Sequence, residues 1–240
     1  MEKWDACSFK VDEESLEGRV CYGGLDLSST RDITAFVLVF PPLDEDDKFC
    51  ILPAMELRVR RDRVPYDVWE RQGFLETTEG NVIHYGYIEK FIERLGERFN
   101  IREIAFDRCG AVQMVQNLEG MGFTVVPCGQ GFKDMSPPTK ELMKLTLEQK
   151  LAHGGHPVLR WMMDNIYIRT DPAGNIKADK KNPQRKSTEP SPLSWDLTVR
   201  SAVEIIQALL SMMTKEFYSY KNGALVFTQK APLLFIYLNL

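Results

Sequence analysis

A chain of 240 residues, 44% hydrophobic and 27% charged, has a globular composition and is long enough for one large domain. Its net charge of −4 does not by itself favour nucleic-acid binding, though a local patch of Lys and Arg would suffice for it. The five cysteines (Cys7, Cys21, Cys50, Cys109 and Cys128) are odd in number and form no CxxC pair, which argues against a zinc site and a disulfide framework and fits a reducing cytoplasm. The polar start MEKWDACSFK is no signal peptide, and no apolar run reaches the length of about 18 residues that a membrane span needs.

Residues 1–19 are polar and irregular and suggest the end of an interdomain linker. Residues 20–28 (VCYGGLDLS) open as an apolar run and end in a carboxylate. A second apolar run follows at 32–41, stopped by Pro41–Pro42, and a third at 48–58, with an acidic turn from Asp44 to Asp47 between them. Three such runs joined by short turns predict a strand meander. Helical spacing then appears over Val64–Arg71 and more clearly over Tyr87–Phe99, where Ile88, Phe91, Ile92, Leu95 and Phe99 share one face. A fourth strand (REIAFD, 102–107) also ends in a carboxylate. A helix over Ala111–Met121 stops at Gly122, and a fifth strand covers Phe123–Pro127. Helices are expected over Pro138–Ala152 and Pro157–Met163, and a hairpin over Ile166–Lys177 turning at Asp171–Gly174. A basic, breaker-rich stretch (DKKNPQRKSTEPSP) precedes a last helical pattern from about Ser194 to Met213. Strands first, then helices alternating with strands, predict an α/β fold with helices flanking a mixed sheet.

Two carboxylates stand out: Asp26 closes the first strand and Asp107 the fourth. Ligands of open α/β sheets commonly bind at that edge. On neighbouring strands the two would repel unless a cation lay between them. Hard oxygen donors suit magnesium or manganese, and with a third carboxylate they would hold two ions roughly 3.5–4 Å apart. An Asp at a strand end also commonly caps a turn or helix, so position alone leaves both readings open. His84, His153 and His156 lack metal-ligand spacing, and no serine-hydrolase elbow, Walker phosphate loop or GxGxxG is present. Lys177, Lys180, Lys181, Arg185 and Lys186 would neutralise a DNA backbone or form a solvated loop.

The segments WDAC, GGLDLSSTRDITAFVLVFPP, IAFDRCGA, VPCGQGFKDMSPPTKEL, GHPVLRWMMDN and DPAGNIKADK, in that order, resemble the nuclease domain of tailed-phage terminase large subunits. The resemblance covers roughly residues 1–189. It implies a ribonuclease H-like domain over 20–189 and Mg2+- or Mn2+-dependent cleavage of concatemeric viral double-stranded DNA during packaging. Asp26 and Asp107 align with the first two catalytic, metal-binding aspartates. The terminase small subunit and the portal are the implied partners, and the host cytoplasm the implied location. No motif of the family's ATPase motor is present.

The resemblance breaks after Glu189. The family continues Lys-Ile-Asp-Gly, whose Asp is the third metal ligand, and here the chain reads PSPLSWDLTVRSAVEII instead. Read from the third base of each codon, the stretch from Ser194 to Ala202 can encode Met-Gly-Leu-Asp-Arg-Ala-Ile-Arg, the family's next helix. A deletion with a frameshift is therefore expected, leaving 190–240 as an atypical tail out of the family's frame. Asp196 is the nearest carboxylate after the break and the candidate substitute ligand. The implied function is an endonuclease domain; the alternative is an inactive prophage remnant with residual DNA binding.

Overall fold

The apolar run TAFVLVF decides the architecture, because every residue from Ala35 to Phe40 is buried, and a strand buried on both faces needs a layer on each side. The computed structural model describes residues 1–26, 34–58, 66–74, 76–78, 85–107, 112–180, 218–221 and 224–227. Strands β1 (Val20–Asp26), β2 (Thr34–Phe40) and β3 (Phe49–Arg58) form the expected antiparallel meander. β5 (Asn100–Asp107) then pairs parallel to β1, and β6 (Val125–Cys128) parallel to β5. The short strands β4 (Glu76–Thr78) and β7 (Leu151–Ala152) both join β3, giving the order β4-β3-β2-β1-β5-β6 with β7 off that path.

Alternate residues feed two cores. Ala35, Val37 and Val39 face a layer containing α1 (Glu2–Asp5), α5 (Phe132–Leu147) and α6 (Pro157–Asp164), through Trp4, Leu142, Leu145, Val158, Leu159 and Met162. Trp69 of α2 (Tyr66–Arg71) joins the same core. Phe36, Leu38 and Phe40 face α3 (Tyr85–Arg98) and α4 (Val112–Gly120) through Ile88, Ile92, Leu95, Met114 and Leu118. The result is a mixed sheet between two helical layers. The hairpin β8 (Ile166–Thr170) and β9 (Ile176–Lys180) stands off the main sheet and packs on α5, where Ser136 Oγ accepts from the Ile176 amide at 3.1 Å. Its turn lies at Asp171, which accepts from the amides of Ala173 and Asn175. A second hairpin, β10 (Tyr218–Lys221) and β11 (Ala224–Phe227), forms its own two-stranded sheet. The helix expected from Ser194 to Met213 lies outside the described residues.

Three expectations differ from the structure. β4 and β7 are too short to carry a sequence pattern. Helix α5 begins at Phe132, six residues before the expected Pro138. Pro137 and Pro138 lack the amides that would bond the carbonyls of Lys133 and Asp134, two exposed residues of the first turn. The helix ends in a Schellman arrangement: Gln149 has φ 53°, and the Lys150 amide reaches the Leu145 carbonyl at 2.9 Å.

The third difference is the start of the chain. Residues expected to be linker are fastened to the fold. Trp4 (3% exposed) stacks on His153 at 4.3 Å, Cys7 and Leu16 are buried, and Asp5 accepts two bonds from Arg160 at 2.7 and 3.0 Å. His153 Nε2 donates to the Trp4 carbonyl at 2.9 Å while its Nδ1 accepts from the Gly155 amide, so the ring is neutral. A single buried Trp in a polar stretch has no periodicity to announce it. Trp4→Ala should cost about 3–5 kcal/mol in urea unfolding. A loss below about 1 kcal/mol would mean that this segment is only laid against the surface.

Acid sensitivity follows from the same region. Burial holds His153 below its ordinary value and pushes His156 down to about 4. His156 Nδ1 accepts from the Leu159 amide and caps α6 in the neutral form. Above the ordinary value of 6.5 neither folded nor unfolded ring is charged, and stability is complete. Between 6.5 and about 4 the unfolded chain takes up the proton and the folded chain does not, so stability falls as pH falls. For His156 the loss is on the order of 2–3 kcal/mol, and a His156→Gln variant should show a flatter pH profile in chemical denaturation.

Candidate active site

The site is set by a register. At its start β1 pairs Val20 with Asn100 and Cys21 with Ile101. An irregularity between Cys21 and Tyr22 then skips Arg102, so Tyr22 meets Glu103, Gly24 meets Ala105 and Leu25 meets Phe106. The next residues along both strands are Asp26 and Asp107. Without the skipped residue Asp26 would run level with Phe106. Neighbouring strands lie about 4.8 Å apart, so the two positions are side by side at the C-terminal edge of a parallel pair. Both also fall on one face. Tyr22 and Ala105, at the same parity, belong to the core under α5 and α6, while Leu25 and Ile104 belong to the core under α3 and α4.

The local sequence explains why β1 can sit here. It lies between β2 and β5, and its burial is complete from Cys21 to Leu25. At Gly23 an added Cβ would meet the Phe36 ring at 2.8 Å and Ile104 at 3.3 Å, so a glycine lets β1 accept large neighbours on both sides. Asp26 itself is half-buried and pairs with Ala35 of β2 on its other side. Position 107 pairs with Cys128, the last residue of β6. Glycines at 129 and 131 follow, and α5 begins at Phe132.

The other sequence candidates are distributed as follows. Lys177 lies on β9, half-buried, with Nζ 5.2 Å from the Phe132 ring centre. Lys180 closes β9 opposite Ile166. Lys181, Arg185, Lys186 and Asp196 lie outside the described residues, as do His84 and Cys109. Among the described residues no three His, Cys, Asp or Glu side chains gather as a metal-binding group. Cys7, Cys21, Cys50 and Cys128 are not in disulfides, and burial pushes Cys21 up to about 12, far from a reactive thiolate. His153 and His156 line a cavity of about 400 Å³ of mixed polar and apolar character, beside Phe74 and Arg98. None of the described helices is long and apolar enough to cross a membrane. One group had no sequence signal: Arg169 of β8 lies over the same Phe132 ring as Lys177, at 5.8 Å.

A three-stranded antiparallel meander, extended by parallel strands at β1 and covered by helices on both faces, defines a ribonuclease H-like fold, with the candidate carboxylates on its central strands. Residues 1–189 match the family model described as "Terminase large subunit, endonuclease domain". The large terminase subunit of Enterobacteria phage HK97 is 37% identical over 171 residues, spanning 68% of this chain and 34% of that protein. The HK97 large terminase crystal structure superimposes with a TM-score of 0.71 at 30% identity, covering 88% of this chain and 42% of that one. Two isolated terminase nucleases share the fold at lower identity. That of bacteriophage SPP1 with bound Mn has a TM-score of 0.51 at 11% identity, covering 85% and 93% of the two chains. That of thermophilic phage G20c with bound magnesium has 0.51 at 12%, covering 81% and 84%. The chain belongs to the endonuclease-domain family of phage terminase large subunits. It spans about a third of the length of its HK97 relative.

Crowding at Gly23 is the most local test of this geometry. Gly23→Ala should destabilise the domain by about 1–3 kcal/mol in urea unfolding, because either the Phe36 ring or β5 must give way. An unchanged midpoint would mean that β1 has slack against its neighbours.

Proposed function

We propose that this chain acts as a metal-dependent endonuclease on double-stranded DNA, with Asp26 and Asp107 holding a divalent ion against the scissile phosphate. The observation that carries this is the register that sets the two positions level on one face and edge of the sheet. The donors fit such an ion. Carboxylate oxygens suit Mg2+ or Mn2+, and two carboxylates on adjacent strands repel each other without a cation. When bound, divalent ions lower the pKa of an attacking water and stabilise the leaving oxygen of a phosphodiester. The chain's own contribution is to fix the two carboxylates on central strands and to bring cations near the flanking backbone. Concatemeric viral DNA as substrate, and the small subunit and portal as partners, follow from the family.

A second reading is supported by the extent of the family match, which ends at Glu189. The family's Lys-Ile-Asp-Gly follows that point, and this sequence lacks it. A two-ion site then misses a donor, and loss of one electrostatic stabiliser typically costs about 10²–10³ in rate. On this reading the chain binds DNA and cuts it slowly or not at all, and the gene carries a deletion and frameshift at codon 189. Asp196 is the nearest carboxylate to substitute.

Plasmid nicking separates the readings. The chain as it stands should nick slowly, with manganese preferred. Insertion of Lys-Ile-Asp-Gly after Glu189 with the family frame should raise the rate by about 10²–10³, and Asp26→Ala or Asp107→Ala should abolish it. Brisk cleavage that survives both substitutions would place the active site elsewhere.

A further inference from the structure

The hairpin β8–β9 places two cations directly opposite each other: Arg169 pairs with Lys177 in register. Like charges in that relation destabilise an antiparallel pair, so the arrangement needs something to hold it. Phe132 contributes to that support. The Arg169 guanidinium lies 5.8 Å and the Lys177 ammonium 5.2 Å from the centre of its ring, both within the range where the electron-rich face attracts a cation. Phe132 is half-buried and Arg169 exposed. Lys133, the next residue of α5, is also exposed. The carboxylate of Asp134 in the same turn is directed back at the loop, where a Cβ on Gly129 would meet its Cγ at 2.8 Å.

This cluster lies close to the candidate carboxylates. Cys128 is the register partner of Asp107, and Phe132 follows it by four residues. Four residues span at most about 14 Å. Along one strand of duplex DNA a phosphate recurs about every 3.4 Å of axis, so that reach covers roughly four phosphates. We propose that Phe132 holds Arg169 and Lys177 as a two-cation clamp on the DNA backbone next to the phosphate at Asp26 and Asp107. Phe132 is a positioning residue in this clamp, and the two cations make the contact. The clamp rests on the endonuclease reading for its place beside the scissile phosphate, whereas its binding of DNA does not depend on cleavage.

Fluorescence anisotropy with a labelled duplex, in calcium, measured over a salt series tests it. Arg169→Ala and Lys177→Ala should each reduce the slope of log affinity against log salt by about 1, and the double variant by about 2. Arg169→Lys should keep the slope. Phe132→Leu keeps every charge and should weaken binding about two- to five-fold at an unchanged thermal midpoint, with Phe132→Tyr restoring it. Lys90→Ala, on the exposed side of α3 in the opposite layer, should change neither quantity. Binding is read here without cleavage and nicking is read in the plasmid assay, so absent nicking with the slopes as expected would sink the nuclease reading alone, and unaltered slopes beside Asp26-dependent nicking would sink the clamp alone. Unaltered slopes in both alanine variants, a loss shared by Lys90→Ala, or no measurable affinity of the parent chain for the duplex would overturn the clamp.

Discussion

The skipped residue on β5 is the constraint from which the site follows. Up to Cys21 the strands run with one offset, and from Tyr22 onward with an offset larger by one, because the register passes over Arg102. That extra residue makes β5 end level with β1. It also sets which face each residue takes, since side chains alternate and a slip of one residue exchanges the faces. Asp26 and Asp107 share a face only because the shift lies upstream of both. The glycine at 23 and the fully buried β2 then hold β1 in place, with Phe36 packed against it.

Burial on both sides gives this arrangement its rigidity. β1 and β2 cannot move without disturbing two cores at once. The segment 1–16 adds to both, with Trp4 and Cys7 in one core and Leu16 in the other. Trp4 stacks on His153, whose neighbours Leu151 and Ala152 pair with the start of β3, so the first turn of the chain is tied to the edge of the sheet opposite the one that carries Asp26. Strand ends held in this way suit the binding of a divalent ion, because little rearrangement of the backbone is needed to accept it.

Much of this was legible in the sequence. The meander, α3, β5, α4, β6 and the hairpin at Asp171 all carry strong periodicity or turn chemistry, and their bounds differ from the structure by a few residues. The end of each strand in a carboxylate was also plain, in GGLD and IAFD. What was hidden is what depends on partners distant in the chain. The pairing of β1 with β5 joins residues about 80 apart, and no local pattern records the skipped Arg102. Trp4 and Phe132 act through single contacts with residues far along the chain, His153 in one case and Arg169 with Lys177 in the other. The prolines of α5 misled in the other direction, because proline marks a helix start more often than a second turn.

A crystal of the chain soaked in manganese and measured for anomalous scattering addresses the central claim most directly. A peak is expected between the carboxylates at the ends of β1 and β5, within about 2.5 Å of an oxygen from each of Asp26 and Asp107, and it should be lost in Asp26→Asn. An ion bound elsewhere, or the two carboxylates turned apart around an empty edge at saturating metal, would contradict it.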